Sequence, residues 1–229
     1  MKPSLASIGA HGSALVVVDD FDGDVPAVID AAAALAPFGR AENSHYPGLR
    51  RLLTRADGAA WAYAERTLRA IAPFIGGAFD ADRFDIEEAS FSLVTDPPST
   101  LAQQQRLPHY DSVDPDYLAI LHYLGGTGGT GTGFYRQRST GIERVEPGNQ
   151  AAFINAARRE GAAASGYIAG SNPCFEQVAA IAAMPDRLVI YQGCLLHSGI
   201  IPPELPLSAD PREGRLTGNF FVKIHRRLR

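Results

Sequence analysis

Phe84-Asp85-Ile86-Glu87-Glu88-Ala89-Ser90-Phe91-Ser92-Leu93-Val94 is where the texture of this chain changes. Apolar and polar residues alternate along it, the period of two that marks a strand with one buried face. Downstream, further strand-like segments run at Tyr117–Leu124, Gly133–Arg138, Gln150–Ile154, Arg187–Gln192 and Leu216–Ile224, separated by Gly, Pro and Asp clusters. Several short strands punctuated in this way favour a β-sandwich or jelly roll. Upstream, Ala14–Val18 is short, apolar and valine-rich, a first buried strand. A helix is expected from Val25 to about Leu35, capped by Asp22 or Asp24 with Pro26 in its first turn. A second should cover roughly Ala56 to Ile71, with Pro73 as its stop. The two helices would pack on one sheet.

The chain has 229 residues, 45% hydrophobic and 20% charged, which are globular proportions. At this length roughly 70% of the unfolded surface is buried on folding, so no disulfide or structural metal is needed. One domain over 1–229 is expected, helical from about 14 to 75 and β from about 84 to 224. The net charge of -4 argues against a nucleic-acid partner, and the basic tail His225-Arg226-Arg227-Leu228-Arg229 is a short patch. Cys174 and Cys194 match no zinc or redox spacing. No signal peptide and no membrane-spanning run is read, so the expected location is cytoplasmic. Gly125-Gly126-Thr127-Gly128-Gly129-Thr130-Gly131-Thr132-Gly133 lacks the Lys-Ser/Thr of a phosphate loop and reads as a flexible hairpin connection.

Chemistry concentrates at Pro108-His109-Tyr110-Asp111. In an extended segment residues i and i+2 share a face, so His109 and Asp111 present an imidazole and a carboxylate side by side. His197, in Leu196-His197-Ser198-Gly199 after the Arg187–Gln192 strand, offers a third ligand. Two histidines and one carboxylate on one side of a metal leave the remaining positions open, which suits non-haem Fe(II). Alone, His109-x-Asp111 also fits a turn in which Asp111 bonds its own backbone. Near the C-terminus, Arg215, Thr217 and Asn219 fall on one face of a strand. A guanidinium fork with a hydroxyl two residues on can hold a carboxylate such as the far one of 2-oxoglutarate.

The order His-x-Asp, distal His, then Arg-x-Thr resembles the 2-oxoglutarate/Fe(II)-dependent dioxygenase superfamily, in its prolyl-4-hydroxylase-like branch. Tyr117–Leu124, the glycine-rich stretch and Gly133-Phe134-Tyr135 are similar to that branch's strand and following hairpin. Tyr46-Pro47-Gly48, Pro108–Asp111, Gly133–Arg136 and Leu196–Gly199 look like a bacterial family of uncharacterised proteins, DUF6445. The resemblance covers about residues 14–224. It implies a mainly β (α+β) double-stranded β-helix, cupin-like, with the N-terminal helices packed on one sheet. It implies Fe(II) on His109, Asp111 and His197, with 2-oxoglutarate as co-substrate held by Arg215 and Thr217. Asp111 implies hydroxylation, because related halogenases lack the carboxylate. Two departures stand out: 18 residues separate His197 from Arg215 (215 − 197), read as an inserted loop, and no tyrosine is clearly placed before His109 to help bind the co-substrate. Ser90, Ser92 and Thr95 occupy that strand instead.

The substrate is expected to be a small molecule, a peptide or a protein side chain. Tyr135 and Arg136 are read as lining its mouth, with exposed hairpin charge as the alternative for Arg136. His45, in a polar and aromatic loop, is a candidate substrate contact. Gln105 is read as surface loop or as a support for a ligand, and His122 as a core histidine. Two other functions stay open: a cupin-like isomerase or hydrolase that uses metal without 2-oxoglutarate, and a non-catalytic binding module. Oligomeric state is not legible.

Overall fold

A computed structural model describes residues 1–40 and 46–226. The elements run β1 (Lys2–Ile8), β2 (Ser13–Asp19), α1 (Val25–Ala33), β3 (Gly48–Leu52), α2 (Gly58–Ala78), β4 (Ala81–Val94), β5 (Tyr117–Tyr123), β6 (Gly131–Gln137), α3 (Gln150–Glu160), β7 (Phe175–Ala182), β8 (Arg187–Gln192), β9 (His197–Ile200) and β10 (Leu216–Arg226). The fold is mainly β. Seven strands form one sheet in the order β1-β2-β8-β5-β10-β4-β3 and three form another, β7-β6-β9. Every pairing is antiparallel.

Strand alternation sorts side chains between two cores. On one face of the large sheet Phe91, Ile120, Ile190, Phe220 and Val222 pack with Tyr63, Leu68, Ile71 and Ile75 of α2 and Val28 of α1. Burying each such side chain stabilises by about 1.5–3 kcal/mol. The opposite face carries Leu15, Val17, Ala119, Tyr123, Val189 and Tyr191, which meet Phe134 of the small sheet. On this second face β10 aligns Thr217 between Tyr123 and Ser92, and Asn219 between Leu121 and Ser90. The apolar filling between the sheets therefore gives way to polar groups at the β10–β4 end, and there the sheets enclose a cavity.

Helix α1 begins where expected: the Asp24 carboxylate accepts from Ala27 N–H at 3.3 Å. Helix α2 continues through Pro73 to Ala78. Proline removes one N–H and crowds the preceding carbonyl, but Ile75 beyond it is fully buried and Phe74 and Ala78 pack on the same core. Gln150–Ile154 is not a strand; it opens α3, whose buried Phe153 and Ala156 lie three residues apart. A five-residue window fits both periods, and the helical one emerges only when the alanines up to Ala157 are included. The glycine-rich stretch is not a hairpin either, because β5 and β6 belong to different sheets. It carries the chain across, and Gly126 at φ +56° passes so close to the Arg215 backbone that a Cβ would lie 2.6 Å from Arg215 Cα.

Candidate metal centre and its cavity

His109 and His197 face each other as a hydrogen-bonded antiparallel pair. His109 N–H donates to the His197 carbonyl at 2.9 Å, and His197 N–H donates to that of His109 at 2.8 Å. Two residues on, Asp111 N–H donates to the Gly193 carbonyl at 2.7 Å. The segment 109–111 is thus stitched to the connection between β8 and β9, which brings three distant side chains together. His109 Nε2 lies 3.9 Å from Asp111 Oδ1, and His197 Nε2 lies 3.5 Å from Asp111 Oδ2. One ligand atom from each residue falls within 4.8 Å of the others.

The donor chemistry suits a transition metal. The Leu195 carbonyl can only accept, so at 2.8 Å it requires the proton on His197 Nδ1 and leaves Nε2 with a lone pair in the neutral ring. Burial lowers the His197 pKa to about 4, against a smaller opposite effect of that hydrogen bond, so the ring is neutral at physiological pH. Tyr191 meets it edge-on, with ring centroids 4.9 Å apart. Burial raises Asp111 to about 6, with His109 and Arg50 pulling it down and Glu88 pushing it up. The Asp111 carboxylate, its side chain 18% exposed, lies between two imidazoles, and a divalent metal there would add a cation to the pull of Arg50. His109 has the most exposed side chain of the three, at 54%, against 18% for Asp111 and 7% for His197.

The cavity has a volume of about 350 Å³. His109, Asp111 and His197 form one wall, and Thr217, Asn219, Ser92 and Leu121 of the large sheet form another. Arg215 lies at its end, 4% exposed. One guanidinium Nη donates to the Gly131 carbonyl at 3.3 Å, its Nε has no hydrogen-bond partner, and no described carboxylate lies within ion-pair distance. The Tyr123 ring sits 5.9 Å away. Tyr46 brings its hydroxyl to the same place, near Thr217 and Ser92, and burial raises that phenol while Arg215 and Arg50 act against it. Asn219 holds the row together, its amide donating to Ser92 Oγ at 2.8 Å.

Other expected contacts lie elsewhere. Tyr135 is 1% exposed within a separate core with Phe153, Phe175 and Leu196, and its hydroxyl accepts from Gln177 at 3.3 Å. It follows Phe134, which faces the inter-sheet core, so alternation turns it away. Arg136 is tied to Glu143 and Glu176 and is absent from the cavity wall. Substrate lining by Tyr135 and Arg136 is therefore replaced by structural roles. His45 falls outside the described residues. Gln105 does line the cavity and donates to the Tyr46 carbonyl at 3.4 Å. His122 is buried on the helical side, 2.9 Å from Tyr63 Oη and 3.0 Å from Asp186.

Arg50 and Tyr167 enter the wall from segments that carry no motif, and Tyr46 from Tyr46-Pro47-Gly48, which carries family likeness but no assigned role. The period-2 reading of Ser90 and Ser92 could have pointed to Arg50, since β3 pairs Arg50 with Ser92, but a five-residue edge strand gives little signal. Arg50 Nε donates to Ser92 Oγ at 3.3 Å and Nη2 to Ser90 Oγ at 3.0 Å, and the same Nη2 pairs with Glu88 Oε1.

No curated protein sequence matches this chain. Among solved structures it is similar to HygX from Streptomyces hygroscopicus with nickel and 2-oxoglutarate bound, at 14% identity and a TM-score of 0.51, covering 93% of this chain and 83% of that one. It is also similar to the non-heme alpha ketoglutarate dependent epimerase SnoN from nogalamycin biosynthesis, at 12% identity and a TM-score of 0.54, covering 92% and 78%. These likenesses are of fold. A family model matches residues 1–222, nearly the whole length, and the chain belongs to that family, DUF6445, a family of unknown function.

Proposed function

We propose that the protein is a non-haem Fe(II)/2-oxoglutarate-dependent oxygenase, built as one double-stranded β-helix (jelly-roll) domain, that hydroxylates a small molecule or a peptide. The observation that carries the reading is Arg215, a buried guanidinium with no carboxylate within ion-pair distance among the described residues, at the cavity whose wall holds His109, Asp111 and His197. A buried cation lacking a counter-charge is costly and calls for an anionic ligand. An acid with a carboxylate at one end and metal-chelating oxygens at the other matches both features. The folds of HygX, seen with nickel and 2-oxoglutarate, and SnoN, described as alpha ketoglutarate dependent, lend the same support.

In this reading His109, Asp111 and His197 hold the metal from one side. The Arg215 fork takes the far carboxylate of 2-oxoglutarate, with the Thr217 hydroxyl adding a hydrogen bond. Tyr46 closes over that end, and Leu121, Ala119 and Ile201 limit water access. Bound Fe(II) supplies the oxidising chemistry, in which substrate C–H, O2 and 2-oxoglutarate give substrate C–OH, succinate and CO2. The Asp111 carboxylate occupies a position that a halide would need, which favours hydroxylation.

The test is an anaerobic titration with Fe(II), then 2-oxoglutarate, following the weak visible charge-transfer band of the chelate. The band should form with wild type, need a much higher 2-oxoglutarate concentration in Arg215→Ala, and vanish in His109→Ala. Metal binding without a band would instead support a metal protein that does not use 2-oxoglutarate. Absence of metal binding would end the oxygenase reading.

A further inference from the structure

Resting on that reading, we infer that the glycine-rich crossover from β5 to β6 is the positioning element for Arg215, with Gly126 and Thr130 as the residues that fix where its guanidinium stands. The side chain does little to place itself. It makes one hydrogen bond among the described residues, from Nη2 to the Gly131 carbonyl at 3.3 Å, and its Nε makes none. A single bond of that length, beyond the usual range of roughly 2.7–3.2 Å, leaves the aim of the side chain to its backbone.

The crossover grips that backbone. Leu124 and Gly125 N–H both donate to the Leu216 carbonyl, at 3.0 and 3.1 Å. Gly126 follows, and a Cβ there would lie 2.7 Å from Arg215 N and 2.8 Å from the Gly214 carbonyl oxygen, besides its approach to Arg215 Cα. All three are backbone atoms, with no rotamer that could turn away. Thr130, 3% exposed, closes the turn that comes next. Its N–H donates to the Thr127 carbonyl at 3.0 Å, and its hydroxyl reaches the Thr127 and Gly126 carbonyls at 3.0 and 3.4 Å. Gly131 then enters the central strand of the small sheet, and its carbonyl is the one that Arg215 meets. The crossover thus touches Arg215 twice, at the backbone through Gly126 and at the guanidinium through Gly131, and Thr130 fixes the span between the two contacts. Gly128 lies in the same stretch, yet a Cβ there would meet nothing within 4 Å. Easing a Cβ on Gly126 to an ordinary contact of about 3.5–4.0 Å displaces the Arg215 backbone by about 1 Å. A misplacement of that size can cost about 100-fold at a binding or reacting centre.

The experiment joins two readouts on the full chain. Anaerobic calorimetry of the Fe(II)-loaded protein gives its affinity for 2-oxoglutarate. NMR of the arginine Nε–H groups, with the Arg215 signal assigned by its loss in Arg215→Met, reports the guanidinium without ligand. Gly126→Ala should weaken 2-oxoglutarate binding at least about tenfold, keep Fe(II) affinity within about twofold and move the Arg215 signal. Gly128→Ala should do none of these. In an Arg215→Met background Gly126→Ala should add less than about twofold, because both changes act on one contact. If Gly126→Ala does not fold, Thr130→Val decides, with a loss of about three- to tenfold, the worth of one hydrogen bond, and the same dependence on Arg215. An unmoved Arg215 signal, an unchanged 2-oxoglutarate affinity, or a full extra loss in the Arg215→Met background overturns the inference and leaves the crossover as a connector of sheets. A wild type that binds no 2-oxoglutarate sinks the oxygenase reading, and the Arg215 signal in Gly126→Ala then decides the positioning alone.

Discussion

Arg215 is a buried cation with no carboxylate within ion-pair distance among the described residues. Replacing it with methionine removes an uncompensated buried charge and keeps most of the volume. Arg215→Met should therefore leave the melting temperature of the ligand-free protein unchanged or higher, because uncharged isosteres of buried ions are often neutral or stabilising. The same variant should bind 2-oxoglutarate about 10- to 100-fold more weakly, the worth of a charged hydrogen bond of about 1.5–3 kcal/mol. A drop in melting temperature would mean that Arg215 is already satisfied by the protein. Asp111 and His197 give a second residue-scale expectation. Asp111 is raised to about 6 when folded, so its stabilising contribution is complete below about 4 and lost as pH rises through 6. His197 is lowered to about 4, so its contribution is present above about 6.5 and lost as pH falls through 4. The two oppose each other over the same window. Without metal, Asp111→Asn should gain stability relative to wild type as pH rises from 4 to 6, with a constant difference above that. Denaturant midpoints across this range decide it; a constant difference throughout would mean that Asp111 is solvated. The residues that converge here were legible where local spacing carries the message. His109 and Asp111 share a face because they are two apart in extended chain. Arg50 was not legible, because only tertiary pairing of the edge strand β3 brings it to the wall, and Tyr46 was legible only as part of Tyr46-Pro47-Gly48.

At the scale of elements, strong periodicity was readable and weak boundaries were not. β4 and β10 announced themselves by alternation, and α1 by its aspartate cap and proline. β1 escaped because six of its seven residues are exposed and show no buried face. α3 was mistaken for a strand because the window was too short to separate the two periods. α2 was cut short at Pro73, where burial of Ile75 outweighs the lost hydrogen bond. That exposed proline offers a direct measurement. Pro73→Ala restores the N–H donor and removes the clash, so unfolding in urea should require about 1–3 kcal/mol more, within the cost of proline inside a helix. No gain would show that the helix is already relaxed around the ring.

At the scale of the whole molecule, two sheets with helices on one outer face follow from the strand count and the two N-terminal helices. The partition into seven and three strands does not. The glycine-rich stretch looked like a hairpin because glycine reports freedom of the backbone and not its destination. Binding should be felt by the whole fold, because the cavity lies between the sheets and draws its walls from both. Fe(II) with 2-oxoglutarate at a hundredfold excess over Kd should add about 2.7 kcal/mol of stability. For a chain of this size that raises Tm by roughly 5–10 °C. An unchanged Tm under saturation would place the ligands outside the folded cavity.

On the proposed oxygenase reading, the Arg215 guanidinium in the cavity also links nutrition to lifespan. When the co-substrate pool is full, the charge is answered and the chain rarely opens. When the pool is depleted, the same chain samples its unfolded ensemble more often and is exposed to proteolysis. On that reading the abundance of this protein in the cell should follow the supply of 2-oxoglutarate.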